Sequence, residues 1–153
     1  MKAVLSILLA IILISSCTPK PKAQGELLTA KFTEDEIASG SGTELIIDAK
    51  NSGQAEATYK FVISAEGVTE GLVTLDPAGE LIFMLRPQET TGEKRIKVTA
   101  LSNTISTDYE FRVQWQDSEA RVLEEKSVIL TVSKQIQKTG GGLFGGMKKD
   151  SQA

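Results

Sequence analysis

Residues 108–116, Asp-Tyr-Glu-Phe-Arg-Val-Gln-Trp-Gln, alternate polar and apolar side chains through nine positions. Tyr109, Phe111, Val113 and Trp115 fall on one side, and Glu110, Arg112, Gln114 and Gln116 on the other. Successive side chains of a β-strand point to opposite faces, so this period of two predicts a strand with one dry face and one wet face. Antiparallel sheets are built from such strands, whereas buried parallel sheets read as continuous apolar runs.

The same pattern extends to both sides of this stretch. Residues 27–32, 43–50, 56–65, 72–75, 80–86, 94–101 and 122–133 are further β-rich runs, and no segment between 27 and 134 sustains a 3.6-residue period. Leu45, Ile47 and Ala49 share one face of their run; so do Tyr59, Phe61 and Ile63; Leu81, Phe83 and Leu85; Ile96, Val98 and Ala100; and Val128, Leu130 and Val132. Turn chemistry separates the runs: Asn51-Ser52-Gly53, Asp76-Pro77-Ala78-Gly79, and Pro87, which cannot continue a ladder. Residues 33–42 read as a loop. Seven to eight short antiparallel strands in about 108 residues predict an all-β, immunoglobulin-like sandwich, whose two sheets bury their dry faces against each other. A closed barrel is the alternative arrangement of the same strands. The aromatic face of Tyr109 to Trp115 then reads as core, with a ligand platform as the rival reading.

Composition limits the chemistry. The chain has 153 residues, no histidine and one cysteine, Cys17. Ser-His-Asp and Cys-His catalytic sets, histidine zinc sites and a disulfide framework are therefore excluded. The net charge of −3 gives no general attraction to nucleic acid, so no nucleic-acid partner is expected. No glycine-rich phosphate loop follows a strand and opens a helix. No serine is placed beside a buried lysine by any pattern. The chain reads as a non-enzyme, with no metal or cofactor expected. Two acidic clusters, Thr33-Glu34-Asp35-Glu36 and Asp117-Ser118-Glu119, have oxygen ligands enough for calcium, but their spacing matches no calcium loop and they read as solvated turns.

The N-terminus is organised differently. Lys2 precedes an apolar run from Ala3 to Ile14 interrupted only by Ser6. A spanning helix needs about 20 apolar residues, so a run of 12 followed by Ser15 and Ser16 predicts a signal-peptide helix over 1–16. A plain signal peptide or an uncleaved anchor leaves Cys17 incidental. Residues 17–26 carry two prolines, two lysines and a glycine and read as a tether before the domain at 27–134. Residues 135–153 are glycine-rich. This tail reads either as a flexible terminus or as a short docking motif with Leu143, Phe144 and Met147 as apolar anchors beside Lys148 and Lys149.

Two resemblances add to this reading. Ile14-Ser15-Ser16-Cys17 resembles the lipobox of prokaryotic lipoproteins. In that family the cysteine receives a diacylglycerol and becomes the mature N-terminus. The resemblance implies Cys17 as the lipidation site and Ile14, Ser15 and Ser16 as cleavage-site recognition, with membrane lipid as a partner through the diacylglyceryl cysteine. Two or more acyl chains give stable anchoring where one does not. Separately, Gly42–Gly53, Leu75–Glu80 and Gly92 with Ile96-Lys97-Val98 resemble turn and strand features of CARDB-type immunoglobulin-like domains; Ala78 stands as an insertion between Pro77 and Gly79. That family implies a sandwich fold and an adhesion, spacer or assembly role, with no shared catalytic residues. The combined expectation is a membrane-anchored lipoprotein facing the extracytoplasmic side, with an envelope protein partner. The alternative is a chaperone-like or solute-binding envelope protein.

Overall fold

In the computed structural model, which describes residues 22–134, the stretch quoted first lies in the second-longest strand. The strands are β1 (Gly25–Phe32), β2 (Glu36–Ala38), β3 (Gly42–Asn51), β4 (Ala57–Ala65), β5 (Val73–Asp76), β6 (Leu81–Leu85), β7 (Lys94–Ala100), β8 (Thr107–Asp117) and β9 (Val122–Ser133). A four-residue helix, α1 (Glu66–Thr69), follows β4. One sheet has the order β1-β3-β7-β5 and the other β2-β9-β8-β4-β6. The two face each other as an immunoglobulin-like β-sandwich.

The alternation in the sequence places the core. Leu45, Ile47, Ala49, Ile96, Val98 and Ala100 from one sheet are fully buried. So are Tyr59, Phe61, Phe111, Val113, Trp115, Leu130 and Val132 from the other. Trp115 is the centre of an aromatic group: its ring stacks on Tyr59 at 5.0 Å and tilts against Phe61 at 4.5 Å. Tyr109 to Trp115 is therefore core, not an exposed platform. Aromatic contacts of this kind contribute about 0.5–1.5 kcal/mol each beyond area burial.

The structure departs from the sequence expectation in three places. The loop over 33–42 contains β2, so the described residues form nine strands rather than seven to eight. β2 pairs parallel to β9, Ile37 opposite Val132, while every other strand pair is antiparallel. Ile37 is buried at this crossing between sheets. A three-residue strand with one apolar side chain leaves no period to detect. Second, β1 starts at Gly25, pairing with Asn51, so the end of the expected tether is already sheet. Third, α1 is too short for helical periodicity to register. Its Gly67 is required by packing, since a Cβ there would lie 2.4 Å from Cδ1 of Tyr109.

Asn51 ties the sheets together at one end. Fully buried, it donates through Nδ2 to the carbonyls of Ala55 (2.8 Å) and Leu85 (3.0 Å), and its Oδ1 accepts from Gly53 N (2.9 Å). The Asn-Ser-Gly turn signal thus marks a cross-sheet clamp as well as a turn.

Candidate functional site

The strand directions give the sandwich two distinct ends. The chain enters at Gly25, beside Asn51, Tyr59 and Asp117; the Tyr59 hydroxyl donates to Gln24 O at 2.9 Å. β4 runs from this end to Ala65, and β8 runs back from Thr107 to Asp117. The opposite end therefore holds α1, the start of β8 and the end of β9 at Ser133.

A cleft of about 460 Å3 opens at that far end, between α1 and the first half of β8. Glu66, Glu70, Asp108 and Glu110 line it, with Arg112 as the single cation. Asp108 accepts from Thr131 Oγ1 at 2.8 Å, and Glu110 accepts from Ser127 Oγ at 2.6 Å, so both carboxylates are held by β9. Tyr109 also lines the cleft. Its hydroxyl is buried without a hydrogen-bond partner among the described residues. Burial pushes the Tyr109 phenol above its ordinary range, and the charges of Glu70 and Glu66 push it further. A second cleft, of about 610 Å3, adjoins the first at Ile105 and includes Thr104 and Lys134. Ile105 is 63% exposed. The surface is thus acidic with an apolar edge. Such a surface attracts ammonium and guanidinium groups.

Of the two acidic clusters read from the sequence, the first is held through its backbone, with Glu34, Asp35 and Glu36 exposed, and the second through the Asp117 carboxylate. Glu34 N donates to Thr43 Oγ1 (3.0 Å), and Asp35 O accepts from Thr131 N (2.8 Å), which fixes the crossing from β1 to β2. Asp117 Oδ1 accepts from Glu119 N (3.0 Å) and Arg121 N (2.9 Å), while Oδ2 accepts from Arg121 Nε (3.0 Å). That carboxylate closes the β8–β9 hairpin. Among the described residues no three or more His, Cys, Asp or Glu side chains, the four cleft carboxylates included, lie close enough together to hold a metal ion. Cys17, with Ile14, Ser15 and Ser16, and the tail residues Leu143, Phe144 and Met147 lie outside the described residues. Among the described residues no helix is long and apolar enough to cross a membrane.

The cleft was not legible in the sequence. Glu66 and Glu70 lie four apart, but they meet Asp108 and Glu110 only because β4 and β8 are paired neighbours.

No protein-family model matches the sequence, and no curated protein sequence does. Similar solved structures exist. A native alpha-2-macroglobulin fragment from Escherichia coli, spanning domain MG7 to the C-terminus, matches with TM-score 0.52 and 20% identity over 74% of this chain; the match covers 17% of that longer chain. A FixG-related protein from Vibrio parahaemolyticus matches with TM-score 0.51 and 11% identity, over 74% of this chain and 97% of that one. The CARDB domain of the PF1109 protein from Pyrococcus furiosus matches with TM-score 0.49 and 18% identity, over 78% of this chain and all of that one. At these identities the likeness is one of fold. The class it defines is an immunoglobulin-like β-sandwich domain.

Proposed function

We propose that this chain is a lipid-anchored envelope protein whose sandwich is a non-catalytic binding or assembly module, tethered through Cys17 and presenting its far end to a protein partner. The observation that carries this reading is the polarity of the domain. The chain enters at Gly25, and the acidic cleft lies at the opposite end. From a diacylglyceryl Cys17, eight residues reach Gly25, a span of at most about 29 Å when extended. The 11 residues of β8 add about 36 Å along the strand direction. A domain held by one end would carry its cleft well clear of the bilayer. Glu66, Glu70, Asp108 and Glu110 favour a partner surface bearing lysine or arginine, and Ile105 supplies an apolar contact beside them. The docking role of Leu143, Phe144 and Met147 belongs to the same reading, since β9 delivers the chain to this end at Ser133.

The test has two parts. Cys17→Ala moves the protein out of the membrane fraction; unchanged retention refutes the lipid anchor. A photo-crosslinking residue at Ile105 in the anchored protein captures one envelope protein in intact cells, and the same residue at Ile129, on the face of β9, does not. Equal labelling at both positions refutes the far end as the binding surface.

A further inference from the structure

Three of the four sheet edges are guarded against further pairing. Charges, irregularities and short length are the usual devices. β1 has a register irregularity between Leu27 and Thr29, and Lys126 Nζ donates to its Leu27 carbonyl. β2 is three residues long and begins with the exposed Glu36. β5 is four residues long, with exposed Thr74 and Asp76. β6 differs. Leu81–Leu85 holds no charge, no proline and no irregularity, and among the described residues its free side makes one hydrogen bond, from Asn51 to Leu85 O. Its outward side chains, Ile82 and Met84, are 65% and 68% exposed, the most exposed large apolar residues described.

We propose that β6 pairs antiparallel with β6 of a second copy of this chain, about a two-fold axis through Phe83. The sequence of the edge is complementary to itself in that orientation. Residues 80–86 read Glu-Leu-Ile-Phe-Met-Leu-Arg. With Phe83 opposite the partner's Phe83, Ile82 lies opposite the partner's Met84, and Leu81 lies opposite the partner's Leu85. Glu80 then lies opposite the partner's Arg86, and the symmetry repeats each contact, as an isologous interface requires. Opposite charges facing each other across a strand pair stabilise it, and like charges destabilise it. Both ends are free to engage. The Arg86 side chain is 82% exposed, with its nearest carboxylate, Glu56, at 4.0 Å. Glu80 is 48% exposed and meets Lys60 through Oε1 at 2.7 Å, leaving Oε2 available.

The charges also select the register. Centring the pair on Ile82 sets Glu80 against Met84, and centring it on Met84 sets Ile82 against Arg86; either shift opposes a charge with an apolar side chain. The chosen register joins two five-stranded sheets into one of ten and covers Ile82 and Met84 of both copies along their shared edge. Because the axis stands perpendicular to the sheet, the Gly25 ends of the two copies point in opposite directions. The pairing rests on β6 alone; two copies anchored in one bilayer pair in this way only with their strands lying along the membrane, so that both tethers reach it.

Sedimentation velocity of the full chain, with detergent micelles in excess over chains, tests it. The wild type sediments as a dimer that dissociates on dilution. Ile82→Lys with Met84→Lys gives a monomer with unchanged far-ultraviolet circular dichroism. Glu80→Arg weakens the dimer roughly tenfold by opposing two arginines twice. Adding Arg86→Glu to that variant restores the dimer. A monomeric wild type, a dimer that survives the two lysines, or a charge swap that fails to restore association overturns the proposal.

Discussion

Gly25→Ala puts the packing of the aromatic core to a quantitative test. A Cβ built at Gly25 lies 2.3 Å from Nε1 of Trp115 and 2.7 Å from its Cδ1. Ordinary contact needs about 3.5 Å, so the methyl is roughly 1.2 Å too close. Trp115 cannot retreat, because Tyr59 stacks on it at 5.0 Å and Phe61 packs at 4.5 Å. The alternative is for β1 to move outward, which strains the bond from the Tyr59 hydroxyl to Gln24 O. Overpacking a filled core costs about 1–3 kcal/mol, and weakening that hydrogen bond adds up to about 1 kcal/mol. The expected loss is about 2–3 kcal/mol, a fall in Tm of about 8–20 °C for a domain of this size. Chemical denaturation followed by circular dichroism measures it. The cause is isolated by repeating the substitution in a Trp115→Phe background, where the smaller ring leaves room. The two changes then show a coupling of about 1 kcal/mol or more. A Gly25→Ala variant within about 0.5 kcal/mol of wild type, or additive effects in the double variant, refutes the reasoning.

Two further predictions concern buried polar groups. Asn51→Ala removes three hydrogen bonds and leaves the Ala55 and Leu85 carbonyls without that donor. A loss of about 2–4 kcal/mol is expected, measured by urea unfolding, whereas a change under 1 kcal/mol contradicts the clamp. Both tyrosines of the chain have phenols raised above the ordinary value of 10.0, Tyr59 by burial with the Asp117 charge adding to it, and Tyr109 by burial with Glu70 and Glu66. A phenol whose folded pKa exceeds its unfolded one contributes stability that is complete below pH 10 and is lost as pH rises through the folded value. Tyrosinate absorbance should therefore appear together with unfolding at alkaline pH; ionisation near 10 with the fold intact contradicts the burial.

The sequence was most informative where one physical rule acts locally. The alternation through Tyr109, Phe111, Val113 and Trp115 named the core face of β8 correctly, because a dry face repeats every second residue whatever the strand pairs with. It failed for β2, where Ile37 alone carries the signal, and for α1, which spans a single turn. It also could not bring Glu66 and Glu70 against Asp108 and Glu110, because their proximity depends on β4 lying beside β8.

By itself, then, the sequence determined the fold class, the inward side chains of six strands and the exclusion of histidine chemistry, all properties of local pattern and composition. Only the tertiary structure decided the strand order, and with it which edges stay open, which carboxylates share a cleft and which glycines stand against aromatic rings. Those are relations between residues far apart in the chain, set by how two sheets close over one core, and no window of sequence contains them.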